Sequence, residues 1–229
     1  MDYGLYLKDG TDLIDYNVPA SIINEINPDI LGLNEVYGYG LKEDYWNQTE
    51  KIGALTKMKG FFAPAVNVPE IGYFGNSILS KHIIKELKVI PIPEPLIKDE
   101  PVIYKSRCLL KAVIECGEKD ITVFVTHFGI ANGQKKNAVE TLLPEIKKVD
   151  TPMILMGDFN LHPQSELLKP FYEIFNEVDE KNNELTFRSE NPYYKVDYIF
   201  LSKDIKILKT RVIKKIASDH FALTAEVEI

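Results

Sequence analysis

Apolar residues along this chain come in short runs, separated by polar, glycine- or proline-bearing breaks, a pattern of strands more than of long helices. The earliest helix is predicted over residues 19–26, with Asn17 as its cap, Pro19 at an early helical position and Ile22, Ile23 and Ile26 on one stripe. Pro28-Asp29 ends it, and Ile30-Leu31-Gly32-Leu33 reads as a buried strand stopping at the polar pair Asn34-Glu35. A second helix follows over 41–58, closed by Gly60, and then strands over 61–66 and 73–80. Residues 83–101 are extended, because Pro91, Pro93, Pro95 and Pro101 forbid a long helix. Strands at 109–115 and 121–127 flank a turn at 116–120, and helices are predicted over 138–149 and 164–175 around a buried strand at 151–157. The remainder reads as strands at 186–187, 196–201, 205–213 and 221–227. Many strands with about four helices predict sheets packed face to face under helical layers. Residues 1–17 are polar and show no period, so the chain is expected to open in a loop.

Composition fits one globular domain or two small ones, with 45% hydrophobic and 27% charged residues in a chain of 229, and a single domain spanning 1–229 is the expectation. No apolar run approaches the roughly 20 residues of a membrane helix, and the first residues carry neither a basic nor an apolar leader segment. A cytoplasmic, monomeric protein is expected. Cys108 and Cys116 fall in one predicted strand and read as small core residues of a reducing compartment. The net charge of -7 disfavours general gripping of nucleic acid, whose affinity comes from lysine and arginine on phosphates. A phosphate ester remains open as a substrate, since acidic residues gathered in one cleft can hold a divalent cation that in turn attracts phosphate.

Polar residues recur at the ends of apolar strands: Glu35 after Leu31-Gly32-Leu33, His127 after Val123-Phe124-Val125-Thr126, and Asp158 and Asn160 after Ile154-Leu155-Met156-Gly157. Asp197 opens Asp197-Tyr198-Ile199-Phe200, and Asp219-His220 precede the final strand. Strands sharing one core would bring these groups to one rim. Taken singly each has an ordinary reading: Asp158 as a turn former, Glu35 as a surface acid, His127 and His220 as structural histidines. Asp197 is different, because a carboxylate inside a hydrophobic run costs several kcal/mol unless a histidine or cation pairs with it.

The ordered set Asn34-Glu35, Gly75-Asn76-Ser77, Arg107, Thr126-His127, Gly157-Asp158-Phe159-Asn160, Val196-Asp197-Tyr198-Ile199-Phe200 and Ser218-Asp219-His220 resembles the endonuclease/exonuclease/phosphatase superfamily. The resemblance runs from about Asp12 to Ile229 and is most similar to compact bacterial metal-dependent hydrolases with Thr186-Phe187 ahead of the Asp-Tyr-Ile strand. It implies a DNase I-like four-layered α/β sandwich, two mixed β-sheets face to face with helices outside, and Mg²⁺- or Mn²⁺-dependent phosphoester hydrolysis. By the resemblance, Glu35 is the principal metal ligand and Asp219 a second partner, in keeping with the preference of hard cations for carboxylate oxygen. Asp158 orients and deprotonates the attacking water, Asn160 holds that water or a phosphate oxygen, and His220, fixed by Asp197, acts as general base or charge stabiliser. His127 bonds a non-bridging oxygen, with Asn76 lining the pocket; Arg107 is either a site arginine or part of a structural salt bridge.

The departure lies at the amino terminus. Family members open with a strand ending in Asn, whereas Asp9-Gly10-Thr11-Asp12-Leu13-Ile14 matches the loop after it. A vacant or rearranged sheet position, and reduced or absent activity, are the expectation. Tyr37 and Tyr39, in a Gly-flanked loop beside Glu35, are candidates to stack on a base or sugar, while Trp46 reads as helix packing. The loops 94–105 and 129–136 are short and of mixed charge, and Lys135-Lys136 reads as a solvated helix start. The substrate is therefore expected to be a nucleotide, a phospho-headgroup or single-stranded nucleic acid, in preference to duplex DNA, with a nuclease and a weakened binding module as the alternatives.

Overall fold

The computed structural model describes residues 15–39, 47–70 and 72–229. The predicted loop at 9–14, the start of the second helix, Tyr45 and Trp46 lie outside the described residues. In chain order the elements are α1 (Asn17–Ile26), β1 (Ile30–Tyr37), α2 (Gln48–Thr56), β2 (Lys59–Val68), β3 (Gly72–Ser80), β4 (Ile83–Ile92), β5 (Arg107–Cys116), β6 (Lys119–His127), α3 (Asn132–Ile146), β7 (Met153–Asp158), α4 (Lys169–Ile174), β8 (Phe175–Glu177), β9 (Asp197–Ser202), β10 (Lys206–Ile213) and β11 (Ala222–Glu228).

A six-stranded sheet, β4-β5-β6-β7-β9-β8, forms the spine. Its neighbours pair antiparallel except for β6 and β7, which run parallel and are joined by the crossover through α3. Both faces are buried, and alternate residues along each strand divide between them. Leu109, Phe124, Leu155 and Phe200 meet Leu142 and Ile146 of α3 and Phe171 of α4 on one side. Leu110, Val123, Val125, Ile154 and Leu201 face the second β-layer. That layer consists, among the described residues, of a three-stranded sheet β1-β3-β2 and a two-stranded sheet β10-β11. Outside it, Ile23 of α1 and Ile52 of α2 pack on Leu79 of β3. The result is the four-layered α/β sandwich. The two β-layers approach closely at Gly32, where an added Cβ would stand 2.6 Å from the Met156 sulfur.

Local differences from the expected elements have physical causes. Asn17 begins α1 instead of capping it, and Asp15 Oδ1 accepts hydrogen bonds from its backbone and side-chain nitrogens. α2 ends on Lys57 in the left-handed conformation, leaving Gly60 inside β2. Among the described residues, the strand pairs of the second β-layer are antiparallel in both of its parts. Pro91 lies within β4, where an edge strand tolerates the missing N–H. The helix expected at 138–149 starts six residues earlier, at Asn132. The helix expected at 164–175 shortens to a 3-10 turn, Glu166–Leu168, and α4, because Phe175 leaves to pair with Ser202 of β9. Residues 186–187 make only isolated bridges.

Candidate active site

Strand register builds the site. His127, the last residue of β6, sits opposite Asp158, the last of β7, which sits opposite Asp197, the first of β9. Three adjacent strands thus present His127, Asp158 and Asp197 in one row. Gly157 just before Asp158 has φ +145 and an ideal Cβ there would lie 1.8 Å from the Thr126 carbonyl oxygen, so the parallel strands close at this end only around glycine. Phe128 N donates to Asp158 O at 2.9 Å and Phe159 N to Val196 O at 2.9 Å, tying the three strand ends together.

Loops complete the row. Asn160 turns back in the left-handed conformation, φ 50, its backbone N–H donating to Asp158 Oδ1 at 2.8 Å. Its amide nitrogen reaches His127 Nε2 at 3.2 Å and donates to the Phe128 carbonyl at 3.0 Å. His220 Nδ1 meets Asp197 Oδ2 at 2.8 Å. Asp158 Oδ2 lies between the two imidazoles, 3.4 Å from His127 Nε2 and 4.0 Å from His220 Nε2. Opposite them, β1 bulges between Leu33 and Val36, with Glu35 at φ 56, and Glu35 Oε1 stands 3.9 Å from His127 Nδ1. Bulges of this kind re-aim side chains, and non-glycine residues at positive φ gather at functional sites.

The electrostatics divide the histidines. Burial holds His127 well below its ordinary range, and the positive charges of Arg107 and His220 push the same way. His127 is therefore neutral, and an Asn160 N–H donor at Nε2 fixes its proton on Nδ1. Burial also opposes charge on His220, but the charge and hydrogen bond of Asp197, with Asp158 and Asp219, outweigh it and raise the group to about 9. His220 is an imidazolium at neutral pH. Asp158 is raised by burial and by Asp197, against the pull of His220, the Asn160 N–H and Arg107. Groups of one type whose environments drive them apart mark acid and base roles.

The sequence candidates distribute unevenly. Glu35, His127, Asp158, Asn160, Asp197 and His220 converge. Asp219 adjoins them, half-buried, its carbonyl accepting from Ser189 N at 2.8 Å. Arg107, 9% exposed, feels Glu35 and Asp158, and burial lowers its guanidinium. Asn76 is 2% exposed and its amide is engaged within the fold, accepting from Asn34 Nδ2 at 2.9 Å and donating to the Cys108 carbonyl at 3.0 Å. It lies buried beneath the rim that the sequence reading expected it to line. Tyr37 is 4% exposed with its ring edge-on to Phe74, so it offers no stacking face; Tyr39, 63% exposed, does. Lys136 is exposed, 3.9 Å from Glu140. Cys108 is buried and its thiol is pushed up to about 12 by burial, an inert core group.

Sequence reasoning missed the work of Asn34. Its Oδ1 accepts from Asp158 N at 2.9 Å and its Nδ2 donates to the Thr126 carbonyl at 3.0 Å, clamping the β1 bulge onto the ends of β6 and β7. The only advance signal was a polar residue directly before Glu35.

Asp158, Asp197 and His220 each offer a ligand atom within 4.8 Å of the others, so a metal could be held here on distance alone. His220 Nδ1 is engaged by Asp197, which leaves Nε2 on the side of Asp158. Glu35 and Asp219 add carboxylates of the kind a hard divalent cation prefers, and Asp158 is raised first by burial and then by the neighbouring Asp197 charge.

Known proteins share this architecture. An endonuclease/exonuclease/phosphatase from Beutenbergia cavernae DSM 12333 superposes with TM-score 0.78 at 19% identity, covering 100% of this chain and 69% of that one. A mannosyl-6-phosphatase of Bacteroides thetaiotaomicron VPI-5482 gives 0.76 at 16% identity over 93% and 90% of the two chains. The human Nocturnin catalytic domain with bound sulfate gives 0.72 at 19% identity over 93% and 85%. No curated protein matches the chain by sequence. The sequence profile of the Endonuclease/Exonuclease/phosphatase family matches residues 20–220, and with that span, from the second residue of the first helix's buried face to His220, the chain belongs to this family.

Proposed function

We propose that the protein is a Mg²⁺- or Mn²⁺-dependent phosphoesterase that hydrolyses a phosphate mono- or diester by attack of water. The observation that carries this is the single Asp158 carboxylate set between a neutral and a cationic histidine, 3.4 and 4.0 Å away. Family membership and the phosphatase among the similar structures support the same reading.

Asp158, raised toward neutrality, is a base poised to take a proton from water near neutral pH. Asn160 holds that carboxylate through its backbone N–H and tethers His127 through its amide. His127, neutral, donates Nδ1–H to a non-bridging phosphate oxygen. His220, cationic and backed by Asp197, stabilises charge growing on the phosphoryl group; the raised imidazole and its Asp197 hydrogen bond favour this role over that of general base. Buried Arg107 adds positive potential from below. Glu35 and Asp219 would hold the metal, which when bound polarises the phosphorus and stabilises the leaving oxygen. The net charge of -7 favours a small or single-stranded ester over duplex DNA.

Hydrolysis of bis-p-nitrophenyl phosphate with Mg²⁺ or Mn²⁺ tests the reading. EDTA and Glu35→Ala should each abolish it; a rate that survives both overturns the metal-dependent mechanism.

A further inference from the structure

One charged cluster in the interior lies outside the hydrolytic machinery. Lys195, Glu177 and Asp179 are 2%, 4% and 1% exposed, so two carboxylates and one ammonium have left water together. Lys195 Nζ donates to Glu177 Oε2 at 2.9 Å, to the Asp179 carbonyl at 3.1 Å and to Asn183 Oδ1 at 3.3 Å, and Asp179 Oδ2 stands 3.5 Å away. Such a cluster is a weak source of stability, because the hydration lost on burial offsets most of the attraction gained. Burial raises Glu177 even with the ammonium beside it, and Asp179 Oδ1 finds no hydrogen-bond partner among the described residues. What the ammonium does supply is geometry.

Lys195 gathers three segments. Glu177 ends β8, opposite Phe200 of β9. Asp179 organises the turn that follows: its N–H donates to Glu177 Oε1 at 2.9 Å, its carbonyl accepts from Asn183 N at 2.9 Å and its Oδ2 from Glu184 N at 2.6 Å. Lys195 itself lies two residues before Asp197, where the chain enters β9. The carbonyl of the intervening Val196 accepts from Phe159 N at 2.9 Å, and Phe159 stands between Asp158 and Asn160 in the chain. Asp197 sits opposite Asp158 and holds His220 at 2.8 Å. The ammonium also lies 5.3 Å from the ring centroid of Tyr198, whose hydroxyl donates to the Leu161 carbonyl at 2.8 Å, one residue past Asn160. Two routes out of the ammonium, the chain itself and the Tyr198 ring, thus end on Asp197 and on the loop that carries Asp158 and Asn160.

We propose that Lys195 is a positioning residue: its buried ammonium fixes the entry to β9, and through it the placement of Asp158, Asn160 and Asp197 for attack on the phosphoester. The inference rests on the phosphoesterase reading and adds to it a residue too buried to meet substrate itself. An uncharged side chain would fill the same space, whereas an ammonium with acceptors on both β8 and the 179–183 turn admits a narrow range of chain positions. Displacing a catalytic group by about 1 Å costs up to about 10²-fold in rate.

Lys195→Met leaves two buried carboxylates without their cation and can fail to fold. The deciding variant is therefore Lys195→Met/Glu177→Gln/Asp179→Asn, which removes all three charges at nearly constant volume. Glu177→Gln, which leaves one ammonium matched to one carboxylate, is the milder variant and should show the same changes at smaller amplitude. Circular dichroism and urea unfolding set equal folded concentrations. In hydrolysis of bis-p-nitrophenyl phosphate with Mn²⁺, kcat of the triple variant should fall about tenfold or more while KM stays within about twofold. Amide hydrogen exchange reads the anchor without turnover: Phe159 N–H should exchange at least about tenfold faster, while Leu110 and Val125 in the sheet interior exchange as in wild type. A kcat within about twofold of wild type in both variants, or unchanged Phe159 exchange in both, overturns the assignment. A wild type without turnover removes the phosphoesterase reading, and Phe159 exchange alone then decides the anchor.

Discussion

Asp197→Asn keeps the size of the side chain and one acceptor oxygen but removes the charge that holds His220 protonated. The pair is 2.8 Å apart, with side-chain exposures of 26% for His220 and 20% for Asp197, so solvent screens it only in part. His220 stands at about 9 against an ordinary 6.5, and at about 1.4 kcal/mol per pH unit the whole displacement corresponds to about 3.5 kcal/mol as an upper bound. Asp158 and Asp219 supply some of it, so the asparagine variant should lower His220 by at least about one pH unit without restoring 6.5 completely. The sign follows from linkage. A histidine raised in the folded state contributes stability that is complete below 6.5 and lost as pH rises through about 9. The raised Asp158 carboxyl titrates against an unfolded value of 3.8, so its contribution begins to change on the acid side of that window. Wild type should therefore lose stability to urea between these pH values, and Asp197→Asn should show a flatter profile. NMR titration of the His220 ring reads the same quantity directly. A His220 that still titrates near 9 in Asp197→Asn would refute the assignment of its charge to this pair.

Three further expectations concern the framework. His127 should stay neutral as the pH falls through the ordinary histidine range, and long-range ¹H–¹⁵N spectra should find its proton on Nδ1; a ring that titrates near 6.5 contradicts this. Asn34→Ala strips the clamp on Asp158 N and the Thr126 carbonyl and should cost about 1–3 kcal/mol in urea unfolding, with a loss of activity on top. Gly157→Ala forces a Cβ against the Thr126 carbonyl at positive φ and should destabilise by at least about 2 kcal/mol; a neutral result means that the strand ends are looser than described.

Much of the sandwich was legible because its strands are short apolar runs bounded by turn residues, as in Leu109 to His127, and because buried strands read as such without knowledge of their partners. Convergence of Glu35, His127, Asp158, Asp197 and His220 was legible only as an ordered motif, since the register that lines up His127, Asp158 and Asp197 is a property of three strands far apart in sequence. The opposite protonation of His127 and His220 was not legible at all. Both follow polar positions at strand ends, and what separates them is burial without an anionic hydrogen-bond partner in one case and Asp197 in the other. Tyr37 misled because a glycine-flanked tyrosine suggests an exposed loop, whereas β1 continues through its bulge and buries the ring on Phe74. The bridge of Phe187 to His220 was hidden for the same reason as the register: the two meet only across the fold.

The central claim is that Asp158 is the base that activates water for attack on a phosphoester. Initial rates of bis-p-nitrophenyl phosphate hydrolysis with saturating Mn²⁺, for wild type and Asp158→Asn at equal folded concentration, test it most directly. The account predicts a metal-dependent rate that falls by about 10² to 10⁴ in the variant. A variant that hydrolyses the ester within threefold of wild type, on the order of 0.6 kcal/mol in barrier, would contradict it.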